Sequence, residues 1–403
     1  MGFRILHIIS SVDPQGGGPI EGLKQMSAVN IAQGHEVEVV SLDAPDAPCV
    51  KIFPMLCHAV GPSWFGTYAY SPRLVPWLVA NRHRYDVVII NGIWQYSSFG
   101  VWRALHNTPT PYFVFTHGML DPWFKRAYPL KHFKKWLYWP WGDYRVLRDA
   151  TSVLFTCEEE RRLARQSFWL YKCDEYVVNY GTRGPVGDPA AQRRLFLETF
   201  PHLRGKRILL FLGRVHVKKG PDFMFLALAE LLRAKPECVP PDLHIVMAGP
   251  HDDDFGAKMI HLAAALGLQE RITWTGMITG DLKWGAFYNA DAFILPSHQE
   301  NFGIAVAEAL ASGVPVLISN QVNIWREIQQ DGAGFIDSDD VPGTRRLLER
   351  WLVCEPTAWA AMRANAKASF DRRFHIDQTA AGFIRAMELF GLTTRPAALR
   401  DGA

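Results

Sequence analysis

Residues 292–310 read AFILPSHQENFGIAVAEAL, an apolar run followed by a polar turn and an alanine-rich stretch. The apolar run predicts a buried strand, and the stretch after Gly303 predicts a helix. The first backbone amides of such a helix are unpaired donors at the positive end of its dipole, which makes them an anion site. Glu300 precedes the helix and Glu308 lies one to two turns into it, so both carboxylates can accept hydrogen bonds from sugar or ribose hydroxyls beside a phosphate. The alternative is a solvated loop followed by an ordinary surface glutamate.

The same alternation of apolar runs and amphipathic stretches continues along the whole chain. It indicates a doubly wound α/β fold with parallel strands. The predicted strands of the first half are 4–9, 37–41, 87–91, 112–116 and 152–156, and those of the second half are 207–212, 243–248, 272–275, 292–295 and 314–318. Helices are predicted between the strands, for example at 221–235, and the tail from about 374 to 392 is predicted to be helical.

A stretch of glycines and prolines without periodicity separates the two series of strands. It covers residues 183–190, where we place the interdomain linker. We therefore predict an α/β protein of two Rossmann-like domains, 1–185 and 186–373, whose parallel sheets face a central cleft. A C-terminal helix within 374–403 is expected to pack back toward the first domain. Because ligands of such sheets bind beyond the carboxyl ends of the strands, functional residues are expected directly after them.

Composition restricts the class of protein. The 403 residues are 48% hydrophobic and 21% charged, as is ordinary for soluble domains, and a net charge of +3 is too small to favour nucleic acid as a partner. Six cysteines are scattered without a CxxC pair or a zinc pattern, so we expect reduced thiols in the cytoplasm. No apolar run reaches the roughly 18 residues that span a bilayer, and the apolar N-terminus predicts a strand rather than a signal peptide.

A second charged turn follows the strand predicted at 207–212. Residues 213–220 read GRVHVKKG, so glycines flank Arg214 and a pair of lysines. Arginine offers a planar fork of donors and lysine a point charge, and both can neutralise a diphosphate. Basic loops are common, but the predicted fold places this one at the same sheet edge as Glu300 and Glu308, which favours an anion site there.

These motifs resemble those of the donor-binding domain of retaining glycosyltransferases of family 4, which have the GT-B architecture. The E-x7-E motif of that family is matched by Glu300 and Glu308, and its G-R-x4-K-G motif by Gly213, Arg214, Lys219 and Gly220. Shorter matches occur at Ala248-Gly249-Pro250, Trp274-Thr275-Gly276-Met277, Asn289-Ala290-Asp291-Ala292 and Pro296-Ser297. The resemblance is close over residues 205–335 and looser in the first half.

The resemblance implies a role for each matched position. Arg214 and Lys219 would hold the donor diphosphate and stabilise charge on the departing nucleotide. Glu300 would contact hydroxyls of the transferred sugar, and Glu308 would bind the ribose hydroxyls. The other implied donor-binding positions act through the backbone. They are the glycines Gly213 and Gly249, the amides of Phe302, Gly303 and Ile304 for sugar or phosphate, and Met277 for the base.

Two features of the first half gain a role from the same resemblance. Residues 14–19 read PQGGGP after the first strand, and the family uses such a loop, here Gly16, Gly17 and Gly18, to let the donor phosphates and the acceptor meet. The triplet lacks the GxGxxG spacing of a dinucleotide fingerprint. His117 directly follows the fourth predicted strand. A lone histidine is most often structural, but the resemblance makes it the active-site residue that hydrogen-bonds the donor sugar.

The run Asp252-Asp253-Asp254 is the one segment that raises the question of a metal. Some glycosyltransferases bind manganese through a DxD motif, whereas a loop of three aspartates is equally explained by solvation. Since Arg214 and Lys219 already supply positive charge for a diphosphate, we expect no metal and no other cofactor.

Residues 123–141 mix Lys and Arg with Trp, Tyr and Phe. Such a mixture suits a helix that lies on anionic lipid, and it also suits a helix that packs its aromatic rings inward with its lysines solvated. Peripheral contact of this region with an anionic membrane would fit an acceptor carried on a lipid diphosphate.

We therefore expect a retaining, metal-independent glycosyltransferase that acts in the bacterial cytoplasm or at the inner face of its membrane. Its donor would be a nucleotide-sugar, preferably a UDP-sugar, and its acceptor a hydroxyl of a glycan or lipid-linked oligosaccharide in surface polysaccharide synthesis. The alternatives are a nucleotide-sugar epimerase or hydrolase of the same fold, and a non-catalytic nucleotide-sugar-binding protein.

Overall fold

The computed structural model describes residues 2–393 of the chain. Strands and helices alternate, and the chain divides into two compact units. The first unit takes residues up to 181 together with the segment from 376, and the second takes residues 182–375. These limits differ by a few residues from the predicted boundaries at 185 and 373. The last ten residues of the predicted C-terminal segment, 394–403, lie outside the described residues.

The first unit is built on one seven-stranded sheet in which all neighbouring strands are parallel. Its strands are β1 (Arg4–Ile9), β2 (Glu36–Ser41), β3 (Cys57–Ala59), β4 (Val87–Asn91), β5 (Tyr112–Phe115), β6 (Ser152–Phe155) and β7 (Glu175–Val177). Its first helices are α1 (Gly18–Ala32), α2 (Pro48–Lys51), α3 (Leu74–Asn81), α4 (Tyr96–Leu105), α5 (Trp123–Ala127), α6 (Pro129–Tyr138), α7 (Asp143–Arg148) and α8 (Glu158–Ala164). The strand order is β3-β2-β1-β4-β5-β6-β7.

The second unit repeats this plan with a six-stranded parallel sheet. Its strands are β8 (Arg207–Leu212), β9 (Leu243–Ala248), β10 (Ile272–Gly276), β11 (Ala292–Leu295), β12 (Val316–Ser319) and β13 (Gly334–Asp337). Its helices are α9 (Pro189–Thr199), α10 (Pro221–Ala234), α11 (Asp254–Ala265), α12 (Gly280–Asn289), α13 (Ile304–Ala311), α14 (Trp325–Asp331), α15 (Val341–Leu352) and α16 (Pro356–Ser369). The strand order is β10-β9-β8-β11-β12-β13.

Alternate residues of the first sheet enter two separate cores, because successive side chains of a strand point to opposite faces. Leu6 and Ile8 of β1 belong to one cluster of buried residues, whereas Ile5 belongs to the other. The second cluster is completed by α17 (Ile376–Leu389), whose Phe383 is fully buried there. Helices therefore cover both faces of the sheet, which explains why its central strands are continuous apolar runs.

The fold class predicted from the sequence, α/β with two Rossmann-like domains, is confirmed. All ten predicted strands are present within two residues of their predicted ends. The strands that the sequence did not reveal are β3, β7 and β13, which lie at sheet edges and are half-buried. An edge strand of three or four residues gives no long apolar run, so hydrophobic pattern cannot detect it.

The strand order reverses next to the first strand of each unit. This happens between β1 and β4 in the first sheet and between β8 and β11 in the second. The carboxyl ends of these pairs are the points where a doubly wound sheet opens to a ligand. Among residues 2–393, no helix has the length and apolar character needed to cross a membrane.

Candidate functional site

The basic loop after β8 packs on the loop after β9. The amide of Gly213 donates to the carbonyl of Ala248 at 2.8 Å, and the amide of Val215 donates to that of Pro250 at 3.0 Å. Val215 is fully buried, whereas the neighbouring Arg214 is exposed. The loop is thus anchored by its backbone and an apolar side chain, which leaves the guanidinium at the surface.

Two glycines allow the loops of this sheet edge to approach one another. A Cβ atom at Gly249 would lie 2.1 Å from the carbonyl oxygen of Gly213, and one at Gly220 would lie 2.3 Å from that of Pro296. Both residues also have positive φ angles, 149° and 63°. Any side chain at either position would collide with backbone, so the loop contacts themselves require glycine.

The loop after β8 is joined to the loop after β11 by hydrogen bonds and an ion pair. The carbonyl of Lys218 accepts from the Ser297 hydroxyl at 2.8 Å and from the His298 amide at 2.9 Å. The next residue of the first loop, Lys219, pairs through its ammonium with the carboxylate of Glu300, which lies two residues after His298. The structure therefore brings the two charged motifs of the sequence together at the β8/β11 reversal.

Glu300 is held at both its backbone and its carboxylate. Its amide donates to the carbonyl of Gln321 and its carbonyl accepts from the amide of Asn323, each at 2.9 Å. Burial raises the pKa of its carboxyl, but the adjacent Lys219 ammonium, the charge of Lys218 and the Gly303 amide more than offset burial, so the pKa lies below its ordinary value. Glu300 is consequently an ionised acceptor at neutral pH.

Helix α13 begins at this site, as the sequence predicted. Gly303 precedes it with φ at 77°, and no side chain caps its first amides. The side chain of Phe302 is buried with its ring 5.8 Å from that of Phe374, so at this turn Phe302, Gly303 and Ile304 would meet a ligand through backbone rather than side chains, and the Gly303 amide already donates to the Glu300 carboxylate.

Glu308 lies in the second turn of α13 and is buried. Its carboxylate accepts from the ammonium of Lys283, which belongs to α12, at 2.7 Å. Lys283 was not predicted from the sequence, because a single lysine on another helix, 25 residues earlier, carries no local signal. The carboxylate of this motif is therefore also paired with a cation.

Met277 follows β10 at the edge of the same group of loops. Its side chain is largely exposed, and the preceding Gly276 has a φ of 66°. The Gly276 carbonyl accepts from the Gly249 amide at 2.8 Å, which fixes this turn to the end of β9. The backbone of the turn is thus positioned independently of the Met277 side chain.

In the first unit, the structure brings the glycine loop and His117 near each other. Pro14–Gly16 forms a single 3-10 turn, Gly17 has a φ of 74°, and Gly18 begins α1. The Gly18 carbonyl accepts from the Tyr180 hydroxyl at 3.1 Å, and the Tyr180 ring lies 6.1 Å from the imidazole of His117. Both features lie beyond the carboxyl ends of strands.

His117 has the left-handed backbone conformation, with φ at 48°. Desolvation lowers the pKa of its imidazole to about 4, so the ring is neutral at neutral pH. Its Nε2 lies 3.5 Å from the side-chain oxygen of Asn91, whose amide nitrogen lies 3.2 Å from Nδ1 of His7. Burial, and then the charge of His117, lowers the pKa of His7 to about 3.

The turn at His117 is held by hydrogen bonds to Glu160, a residue that was not predicted from the sequence. One carboxylate oxygen accepts from the Thr116 hydroxyl at 2.8 Å and from the Gly118 amide at 2.6 Å. The other accepts from the amide and hydroxyl of Thr156, at 2.7 and 2.6 Å. A buried carboxylate with four donors thus holds the two residues that flank His117.

Of the three aspartates considered as a metal site, Asp253 has a structural use. The Asp253 carboxylate accepts from the Gly256 amide at 2.8 Å and caps α11, whose first residue is Asp254. No group of three or more His, Cys, Asp or Glu side chains suited to a metal occurs in residues 2–393.

Residues 123–141 combine the two arrangements considered from the sequence. Trp139, which directly follows α6, is fully buried, whereas no residue of α6 itself is. Leu130, Phe133 and Trp141 are more than half exposed, as expected for an interfacial helix. The segment therefore has a packed ring at the end of α6 and an open apolar side along the helix.

Both units match families of known glycosyltransferases. Residues 196–368 match the family described as glycosyl transferases group 1, and residues 17–179 match the glycosyl transferase 4-like domain. The D-inositol 3-phosphate glycosyltransferase of Mycolicibacterium gilvum is 26% identical over 257 residues, 61% of this chain and 54% of that protein. The Rhodococcus jostii protein of the same name is 30% identical over 264 residues, 62% and 54% of the two chains. The match spans about half the length of these relatives.

Solved structures share the fold over nearly the whole chain. The Anabaena protein HepE, in complex with UDP and glucose, has a TM-score of 0.74 at 16% identity and covers 96% of this chain and 100% of its own. A glycosyltransferase from Rickettsia africae has a TM-score of 0.74 at 15% identity, covering 96% and 98%. At these identities the likeness concerns the fold alone, which is of the GT-B class.

Proposed function

We propose that this chain, whose two domains belong to the glycosyl transferase 4-like and glycosyl transferases group 1 families, is a retaining glycosyltransferase that uses a UDP-sugar. Its acceptor would be a hydroxyl of a glycan or of a lipid-linked oligosaccharide in surface polysaccharide synthesis. The observation that carries the proposal is the pairing of Lys219 with Glu300 at the β8/β11 reversal, beside the exposed Arg214 and the uncapped start of α13.

In this mechanism, cations and helix amides receive the charge that develops on the departing nucleoside diphosphate. Arg214 and Lys219 neutralise its oxygens, and Glu300 both orients Lys219 and accepts from hydroxyls of the transferred sugar. Glu308, held by Lys283, uses its remaining acceptor capacity for the ribose hydroxyls. Such preset groups lower the barrier by positioning and charge stabilisation.

Transfer breaks the bond between the anomeric carbon and the diphosphate oxygen and forms one to the acceptor oxygen on the same face of the sugar. The proton of the acceptor hydroxyl goes to the departing diphosphate, so no protein base is required. His117 is neutral because its pKa is about 4, which suits it to hydrogen-bond the donor sugar rather than to pair with the diphosphate. Gly16, Gly17 and Gly18 would leave space for phosphates and acceptor.

The choice of UDP is supported by a protein of the same fold, whereas the base-binding turn of this chain does not discriminate between bases. The Anabaena protein of the same fold was solved with UDP, with UDP and glucose, and with UDP-glucose. In this chain, the turn at Gly276 and Met277 offers backbone groups to a base, and backbone can serve uracil or guanine. We also propose that the donor binds without a metal, since Arg214 and Lys219 supply its counter-charge.

The surface of α6 supports peripheral membrane contact at the cytoplasmic face.

The alternatives to transfer are consumption of donor without an acceptor, as by an epimerase or hydrolase, and binding without turnover. A binding protein has no need of cations placed to stabilise a departing diphosphate, which favours an enzyme. The proposed activity is tested by titrating UDP-, GDP- and ADP-sugars calorimetrically in the presence of a chelator, followed by assays of donor consumption.

We expect binding of UDP-sugars alone, with turnover that rises when a glycan acceptor is supplied. Binding of GDP- or ADP-sugars instead would replace UDP but preserve the transferase proposal. Turnover that ignores every acceptor would indicate a hydrolase or epimerase, and the absence of nucleotide binding would contradict the assigned donor site.

A further inference from the structure

Helix α6 and the residues around it combine basic residues with exposed apolar side chains. Residues 122–142 contain five Lys or Arg and no Asp or Glu. On α6, Leu130, Phe133 and Leu137 are exposed by 81%, 58% and 54%. Their spacing of three and four residues places them in one stripe along the helix. An exposed apolar stripe within cationic surroundings marks contact with an anionic apolar partner.

The adjacent face of the same helix forms the wall of a groove of about 650 Å³. Pro129, His132, Phe133 and Trp136, at positions i, i+3, i+4 and i+7, line one side. The other lining residues are Lys125 of α5 and Gln166, Ser167, Phe168 and Trp169, which follow α8. Because Phe133 belongs to both the stripe and this aromatic groove, the two apolar surfaces are continuous.

Aromatic rings form much of the wall of the aromatic groove, and Lys125 gives it a positive charge. The His132 ring stacks on that of Phe168 at 4.7 Å, and the ring of Trp136 lies 6.1 Å from that of Trp169. Burial lowers the pKa of His132, and the charges of Lys125 and Lys135 lower it further. The groove therefore offers apolar walls to a chain within a positive potential that favours an anionic group.

We propose that the aromatic groove binds one hydrocarbon chain of a lipid whose headgroup carries a phosphate or diphosphate, with that headgroup at Lys125. Charge complementarity selects an anion, and the length of continuous apolar wall selects a chain over a free phosphate. A lipid drawn from a bilayer touched by the stripe would pass Phe133 to enter the groove. The inference rests on the proposed function and deepens it, since it names a lipid phosphate as the class of acceptor carrier.

The test uses soluble lipids below their micellar concentration and the full chain. Geranyl diphosphate represents an isoprenoid carrier, and dihexanoyl phosphatidic acid represents a bilayer lipid. Dihexanoyl phosphatidylcholine keeps the chains without net charge, and inorganic pyrophosphate keeps the anion without a chain. We expect calorimetry to show one site for an anionic lipid and at least about tenfold weaker binding of both controls.

Two variants of the groove and one matched control locate the site. Trp136→Ala and Trp169→Ala should each weaken lipid binding about tenfold, because each removes a ring from the wall. Both tryptophans are partly exposed, so the chain should fold without them. Trp64→Ala removes a similarly exposed ring of another loop and should leave binding unchanged.

Preference for geranyl diphosphate would support the groove as the site of an acceptor carrier, and preference for phosphatidic acid would overturn that assignment, because the occupant would then be a bilayer lipid. Equal binding of pyrophosphate, or lipid binding unaffected by both tryptophan variants, would overturn it. So would flotation with anionic vesicles without any binding of monomeric lipid, since contact would then be limited to the stripe. Nucleotide binding and donor consumption, measured on the same samples, report separately on the proposed activity.

Discussion

The candidate sites of the two units hold their functional side chains in opposite ways. In the second unit, Lys219 and Glu300 are charged, paired and partly accessible at a sheet edge. In the first unit, His117 is a neutral ring whose flanking residues are fixed by the buried carboxylate of Glu160. The difference teaches that the site of the second unit presents charged groups, whereas that of the first unit presents a neutral ring. Charged groups suit a departing diphosphate, and a neutral ring suits a hydroxyl of the donor sugar.

The largest effect is expected where the charged pair is broken. Lys219→Ala and Glu300→Ala should each lower turnover by a factor on the order of 10² or more, because each removes a preset group from the charged transition state. The measurement is the initial rate of donor consumption with acceptor at saturating donor.

The matched control is the ion pair of Lys235, at the carboxyl end of α10, with Glu349 of α15. Nζ of Lys235 lies 3.2 Å from Oε1 of Glu349. Lys235→Ala should change turnover by less than about twofold, since an exposed pair contributes little. Near-normal rates for Lys219→Ala would refute the role given to the charged pair.

A smaller effect is expected when the support of His117 is altered. Glu160→Gln leaves one carbonyl oxygen for four donors, so we expect a loss of about 2–4 kcal/mol in unfolding free energy. Glu160 does not contact the nucleotide-sugar in the proposed mechanism, so nucleotide affinity should stay unchanged. The kcat should fall about tenfold, because His117 is held less firmly in position. NMR titration should show the pKa of His117 moving from about 4 toward its ordinary value as the turn loosens.

Glu158→Gln is the control on the same helix, because Glu158 is exposed and pairs with Arg161 one turn away. It should cost less than about 0.5 kcal/mol and leave kcat and the His117 titration unchanged. A fall in nucleotide affinity equal to the fall in kcat would show that Glu160 acts on the whole fold rather than on the histidine.

The close contact of loops in the second unit can be separated from the conformational preference of glycine. Gly249→Ala places a Cβ 2.1 Å from the Gly213 carbonyl oxygen and should cost about 2–3 kcal/mol in unfolding free energy. Gly205→Ala, at a φ of 72° with no atom within 4 Å of the new Cβ, should cost about 1 kcal/mol. Equal shifts in the thermal unfolding midpoint would show that backbone conformation, and not the contact, requires Gly249.

Much of the fold was predictable because a parallel strand buried on both faces consists of consecutive apolar residues. β8, β9 and β11 were predicted with their observed ends, and the edge strands were not, since half-exposed strands lack that pattern. The rule that ligands lie beyond strand ends also predicts Arg214 and Glu300 at one sheet edge, where the structure has them.

The missing parts of the sites come from elements with no local signal. Lys283 reaches Glu308 from another helix, and Glu160 reaches the turn at His117 from the start of α8. A single lysine or glutamate on a helix is ordinary in sequence, and its partner is set by tertiary packing. For that reason the groups proposed to contact the nucleotide-sugar could be predicted from the sequence, and the groups that hold them in place could not.

The smallest predicted effect distinguishes the two sites by pH. The pKa of His117 is about 4 in the folded chain against an ordinary 6.5, so between these values the unfolded chain binds a proton that the folded chain does not. Stability should therefore fall on acidification from pH 6.5 toward 4, by roughly 1–3 kcal/mol for this group. Chemical denaturation at several pH values should show a shallower fall for His117→Gln. The stability contributed by Glu300, whose pKa is lowered from 4.5, is lost only as the pH falls below about 4.5, so Glu300→Gln should leave the profile between pH 6.5 and 4.5 unchanged. The opposite result, a flatter profile for Glu300→Gln alone, would assign the acid sensitivity to the charged pair and remove the contrast between a site that presents a neutral ring and one that presents charged groups.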